Sequence, residues 1–235
     1  MKLFLTNPIV LLTLTFGTYY VSQYLQAKSK WVLLNPVLLT ITVIICFLKW
    51  NNIDYEIYNE AGQYIEFWLK PAVVALGVPL YLQLEKIKKQ LWPLFFCQLA
   101  GCVAGIVSAT IIAKLLGASH DVIISIAPKS VTTPIAMEIT RSLNGIPSLT
   151  AAVVVIVGIF GALTGFYIME WLKVDSPIAQ GISLGTAAHA LGTSCAMNVS
   201  SKYGAFASLG LILNGILTSI LTPPILRLMD PWFIS

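Results

Sequence analysis

The stretch "SIAPKSVTTPIAMEI", Ser125 to Ile139, decides how this chain is read. It sits among residues apolar enough for a membrane interior, yet it carries two prolines, a lysine and a cluster of hydroxyls. Proline removes an amide donor and frees a carbonyl in the preceding turn. Broken backbone persists at membrane depth only where protein buries it or where it lines a wet cavity. A lysine near the middle of a span costs about 2.5–3.5 kcal/mol on insertion scales. A plain crossing helix would carry none of these groups, so some gain must offset them.

The solvent follows from composition. Of 235 residues, 57% are hydrophobic and 10% are charged, where soluble domains are near a quarter charged. With a mean hydropathy of +0.83, the chain belongs among polytopic membrane proteins. Net charge is +4 and the basic residues are scattered, which excludes a nucleic-acid surface. Cys46, Cys97, Cys102 and Cys195 lie in apolar runs without a Cys-x-x-Cys pair, so they read as small packing residues. No cofactor or metal is expected. The N-terminus shows one lysine, an apolar run and no small-residue cleavage site, and is read as a retained first span.

About 20 apolar residues cross the hydrocarbon as a helix. Windows at about 3–25, 31–49, 92–116, 147–172 and 204–229 fit, and those at about 62–84, 119–140 and 176–198 are shorter or interrupted. The expected fold is an all-α polytopic membrane protein of about eight transmembrane, broken or re-entrant helices, transporter-like and forming a single domain over 1–235. Lys28 with Lys30, and Lys86, Lys88 and Lys89, mark two cytoplasmic loops. Farther along, charge does not choose. Arg141 and Lys202 are inside if 119–140 crosses, Lys173 and Arg227 if it turns back. A weak internal echo sets units 62–116 and 119–172 side by side, with 176–229 completing the second half. Each has a proline-broken segment, around Pro79 or Pro134, ahead of a Gly-x-x-x-Gly helix. Repeats with corresponding broken helices point to a transporter binding site.

Two constellations carry the candidate chemistry. Around the break at Pro128 and Pro134, Lys129 offers a charge and Ser130, Thr132 and Thr133 offer hydroxyls, a set suited to an anion at a half-helix N-terminus. The structural alternative is an ion pair of Lys129 with Glu138 or Glu66. In "GISLGTAAHALGTSCAMN", Gly181–Asn198, Gly185 and Gly192 are read as breaks, and Thr186, His189 and Thr193 as polar groups within about two turns. His189 alone reads as a hydrogen-bonded core residue; beside a second broken segment it becomes a candidate ligand for substrate. Asn214 and Thr218, one turn apart, suggest hydrogen bonds between helices. The sequence holds no Gly-x-Ser-x-Gly elbow, HExxH or phosphate loop, and no pair of acids at depth, so no enzyme is expected.

"YNEAGQYI", "KPAVVALGVPLY", "PKSVTTPIAMEI", "GIPSLTA", "GTAAHALGT" and "GAFASLGLILNGILTSILTPPI" resemble the LrgB/CidB family over residues 30–228. That family includes the C-terminal half of the plastid glycolate/glycerate transporter. The resemblance implies a bacterial inner-membrane protein with a smaller LrgA/CidA-type membrane partner, a lipid bilayer around it and a possible homo-oligomer. It implies one of two functions. One is a carrier of small organic anions of the pyruvate, lactate, glycolate or glycerate class. The other is a holin- or antiholin-like regulator of murein hydrolase activity and autolysis. Two stretches depart from the family pattern: Lys70-Pro71-Ala72 where relatives commonly have Gly-Pro-Ala, and Ser194-Cys195-Ala196 where they have Ala-Arg-Ala. If that arginine neutralises a carboxylate, Lys70 or Lys129 serves here instead.

Overall fold

A computed structural model describes residues 5–29, 36–75, 77–82, 84–89 and 91–234, and among these every regular element is helical. Two compact units, Met1–Ala75 and Leu76–Ser235, are described in turn.

The first unit holds α1 (Pro8–Ser29), α2 (Pro36–Trp50) and α3 (Tyr55–Ala75). α1 and α3 meet through the Thr15 and Tyr58 hydroxyls, 3.0 Å apart. Ile44, Leu48 and Ile53 form a small core with Phe47 and Tyr58 beneath the α2–α3 turn. Asn52 makes that turn at φ 49°, a left-handed conformation that Asn tolerates through its short polar side chain. The polar stretch Asn51–Glu66 runs from this turn into α3, with Tyr55 and Tyr64 exposed beside Trp50, as aromatic residues at a membrane interface are.

The second unit contains α4 (Gly77–Leu82), α5 (Leu84–Lys89), α6 (Leu91–Leu115), α7 (His120–Ile126), α8 (Thr133–Ser142), α9 (Pro147–Trp171), α10 (Pro177–Val199) and α11 (Ser201–Ile234). Three helices, Leu91–Leu115, Pro147–Trp171 and Ser201–Trp232, are long and apolar enough to cross a membrane. Their outer faces expose Ile112, Ile156, Phe160, Ile216 and Ile220, the reverse of a soluble surface. α8, α9 and α10 each start with proline in the first turn, where its missing N–H is no loss.

Of the three interrupted windows, 62–84 includes positions outside the described residues, and 119–140 and 176–198 each turn back on themselves. Were 119–140 one continuous helix, Ser125 and Thr140 would be about 22 Å apart. Instead both touch Thr150: its hydroxyl donates to the Ser125 carbonyl at 2.9 Å and lies 2.8 Å from the Thr140 hydroxyl. The Ile146 amide also donates to Ser125 Oγ, and the Gly145 amide to the Thr140 carbonyl. So α7 runs in, the chain turns through 127–132, and α8 runs back out.

α10 doubles back in the same way. His189, at φ 43° and ψ −131°, breaks the helical path. Gly185 and Thr193 on either side of it both face Ala207, and Gly192 faces the Leu184 carbonyl. An unbroken helix would put residues 184 and 192 about 12 Å apart. Gly185 and Gly192, read as breaks, are therefore places where backbones touch, and the bend itself falls at His189. With both segments reversed, Lys173 and Lys202 share one end of this unit while Arg141 and Arg227 share the other. That grouping differs from both alternatives that charge counting left open.

The directions of the long helices follow from their contacts. α6 and α11 run parallel, since Gln98 bonds Gly210, Cys102 meets Thr218 and Thr110 reaches Met229. α9 runs opposite to them, with Leu184, Ala188 and His189 of α10 lying against Gly165, Gly161 and Gly158 in that order. A long helix followed by a hairpin thus occurs twice. α6 leads to a hairpin entering from the His120 end, and α9 to one entering from the end that carries α5.

Candidate functional site

The two hairpin tips meet beside the middle of α11, and three helices hold them there. On α11, the buried Asn214 donates one amide hydrogen to the Ser130 carbonyl (2.9 Å) and the other to the Thr186 carbonyl (3.1 Å). On α6, Gly101 faces the Thr186 methyl and Gly105 faces Ser130 Oγ. On α9, Val154 packs against Val131 and Ala136 of the first hairpin, and its carbonyl accepts from His189 Nε2 at 2.9 Å.

Below the tips a cavity of about 840 Å³ opens between α6, α9 and the first limb of α10. Its mouth lies at Pro93, Met169, Ser176 and Ile178, and it ends at Gly105, Ile106, Ala127, Lys129, Ser130, Asn214 and Thr218. Beyond that floor the structure is packed solid: Ile106, Ile123, Ile124, Ala127, Leu217 and Leu226 form one apolar cluster with Leu221, Ile225 and Met229. The cavity is therefore closed toward the His120 end. Its walls are apolar, with a few polar groups gathered at the floor, the form common to small-ligand sites.

Lys129 stands out among those groups. Among the described residues its ammonium reaches only the Gly105 carbonyl at 3.4 Å and Ser130 Oγ at 3.3 Å, both long for a charged donor with three hydrogens. No carboxylate pairs with it among the described residues. Glu138 is exposed and bonds Arg141 at 2.6 Å instead, and the side chains of Glu66 and Lys70 lie outside the described residues. Two other polar groups on the wall are spoken for. Thr186 Oγ1 lies within reach of Gln98 Oε1 (2.9 Å) and the Ile182 carbonyl (2.7 Å), while Gln98 Nε2 donates to the Gly210 carbonyl.

Of the residues singled out from sequence, Lys129, Ser130 and Thr186 line the cavity. Thr132, Thr133, His189 and Thr193 do not. Thr132 caps α8 without a side-chain bond, and Thr133 and Pro134 form the first turn of that helix. Pro128 is buried in the turn between α7 and α8. The Thr193 hydroxyl donates to the His189 carbonyl at 2.9 Å, so both residues build the tip of the second hairpin. Pro79 falls within α4, and its side chain lies outside the described residues. Ser194 is exposed and Cys195 turns to the Ala162 carbonyl; neither lines the cavity. Asn214 and Thr218 do bond between elements, as their spacing suggested. Gln98 escaped notice, although it is the one strongly polar side chain in "LWPLFFCQLAGCVAGIV". Among the described residues no group of His, Cys, Asp and Glu could hold a metal ion.

The profile of the LrgB-like family matches residues 15–228. The chain belongs to that family. This LrgB-like protein is 38% identical to YxaC of Bacillus subtilis over 92% of its own length and 94% of the relative's. It is 34% identical to the holin-like protein CidB of Staphylococcus epidermidis, over 94% of this chain and 97% of that one. To the antiholin-like protein LrgB of Bacillus mycoides it is 32% identical, over 92% and 95%. No solved structure matches it.

Proposed function

We propose that this LrgB-like protein is a carrier of small carboxylates in the bacterial inner membrane, crossing it several times, and that the anion binds at the floor of the cavity against Lys129 and Ser130. One observation carries this reading: an ammonium without a carboxylate partner among the described residues, at the closed end of an apolar-walled cavity. Structural lysines at depth pair with an acid or a carbonyl cluster. An ammonium with two long contacts has room for a ligand that brings its own negative charge. No step of catalysis is involved.

The helix-then-hairpin arrangement supports the same reading. We take residues 91–142 and 147–199 as inverted units, a phasing that replaces 62–116 and 119–172 because each unit then has one long helix and one re-entrant hairpin. In inverted-repeat transporters, broken helices bring substrate sites to the midplane in this way. Lys88, Lys89, Lys173 and Lys202 gather at the cavity's open end, so by the positive-inside bias that end faces the cytoplasm.

The relatives' names favour a second reading. CidB is called holin-like and LrgB antiholin-like; on this reading the chain acts with a small LrgA/CidA-type membrane protein as a pore or a regulator of autolysis rather than as a carrier. Uptake of labelled 2-hydroxy and 2-oxo acids into proteoliposomes, with and without that partner, separates the two. Saturable uptake supports the carrier. Leak that grows with protein density and does not saturate supports the holin-like pore, and no flux in either preparation supports a regulator.

A further inference from the structure

We propose that Asn214 is the positioning residue of the site: its amide clasps the two hairpin tips and thereby keeps the cavity shut toward the His120 end. This rests on the carrier reading for its purpose, but its geometry stands alone. The two hairpins enter from opposite ends, and Asn214 is the side chain that donates to the backbone of both, at Ser130 and Thr186. It is fully buried, so neither bond is shared with bulk water. Because both acceptors are main-chain carbonyls, the clasp fixes the tips whatever side chains they carry. Moving either tip by more than about an ångström breaks one bond, since such bonds fail beyond about 3.5 Å.

What lies on each side of the clasp differs. Toward the α5 end is the open cavity; toward the His120 end is the apolar plug of Ile106, Ile123, Ile124 and Leu217. Ile123 and Ile124 belong to α7, the first limb of the hairpin that Asn214 holds. Releasing the Ser130 carbonyl therefore frees the element that contributes half the plug. Opening the cavity to the other side, as any carrier must, requires this bond to break. Gln98 supports the clasp from the far side by holding Thr186 and the Gly210 carbonyl of α11. Gly210 itself lies against Ile182 and Thr186, so α11 and the second hairpin move as one body while the first hairpin is the part that lets go.

The test is sided labelling of a cysteine at the floor. Ser130→Cys leaves the clasp intact, because Asn214 bonds the carbonyl of residue 130 and not its side chain. With the four native cysteines replaced by alanine, a membrane-impermeant maleimide is applied to vesicles of either orientation. With Asn214 present, labelling proceeds from the α5 side and is at least tenfold slower from the His120 side. Asn214→Asp keeps the size but has no N–H to donate; labelling from the His120 side rises at least fivefold. Asn214→Gln, which keeps both donors, restores at least half the difference. If the aspartate variant does not insert, Asn214→Ser, too short to span both carbonyls, is read the same way. Unchanged sidedness in an inserted Asp or Ser variant overturns the proposal, as does equal labelling from both sides with Asn214 in place. Since labelling needs no substrate, loss of the carrier reading alone shows as normal sidedness without uptake.

Discussion

The two hairpins look alike in sequence and spend their polar groups in opposite ways. The first, around Pro128–Pro134, turns Lys129 and Ser130 into the cavity and leaves the ammonium under-bonded. The second, around His189, turns its polar groups back on the protein. The His189 ring donates to Val154, Thr193 donates to the His189 carbonyl, and the Thr186 hydroxyl is taken by Gln98 and Ile182. A bend at a non-glycine residue with positive φ is strained, at a cost on the order of 1–3 kcal/mol, and persists only when its surroundings over-determine it. The second hairpin uses its histidine and threonine to do that. The first is bent by prolines, whose fixed φ needs no such support, so its polar side chains are not needed to brace the turn. One tip is built for holding and the other for being held.

The sharpest way to break this contrast is to load each hairpin with volume. A Cβ at Gly185 would collide with the Ala207 carbonyl, backbone that cannot step aside. Gly185→Val is expected to leave no folded protein by size exclusion in detergent. Gly105→Ala, facing the first tip with its nearest atom at 3.9 Å, is expected to express at the native level. Equal tolerance of both would show that the second hairpin is not close-packed.

A smaller effect separates holding from binding. His189→Leu loses a buried hydrogen bond worth about 1–1.5 kcal/mol, so it lowers thermal stability in detergent, while the KM for uptake stays within about twofold. A large rise in KM with unchanged stability would move His189 from scaffold to substrate. Smaller still is the contrast within the first hairpin. Ser130→Ala removes one hydroxyl from the cavity floor and raises KM about fivefold, corresponding to about 1 kcal/mol. Thr133→Val, off the wall, changes it by less than about twofold. The reverse order would place the site on the α8 side of the tip.

Much of this was legible beforehand. Pro128 and Pro134 announce a break, a buried lysine announces an uncommon need, and Gly161 and Gly165 announce close approach, because each residue type has few other uses inside a membrane. What stayed hidden was direction. Composition cannot say whether a broken segment continues or returns, since α7 and α8 would be equally apolar either way; contacts such as Thr150 with both Ser125 and Thr140 decide it. Nor can residue type say where a polar group points. Thr110, Ser208 and Thr222 sit in apolar helices and simply donate to the carbonyl four residues back, and Thr193 does the same across the bend. Asn214 read as a bond between helices and proved to be one, but only the fold shows that it joins the two tips.

The most direct measurement is uptake by Lys129→Met in proteoliposomes, beside Lys129→Arg and the native chain. Methionine keeps the length and apolar stem of lysine, so the variant inserts and folds. Without the ammonium, a carboxylate at the cavity floor loses about 2–5 kcal/mol, or roughly 30- to 4,000-fold in affinity, and saturable uptake disappears. Arginine retains the charge, but its planar fork does not fit the place of a compact ammonium, so Lys129→Arg recovers part of the uptake. Native uptake by a well-folded Lys129→Met protein would contradict the assignment of the anion site to Lys129.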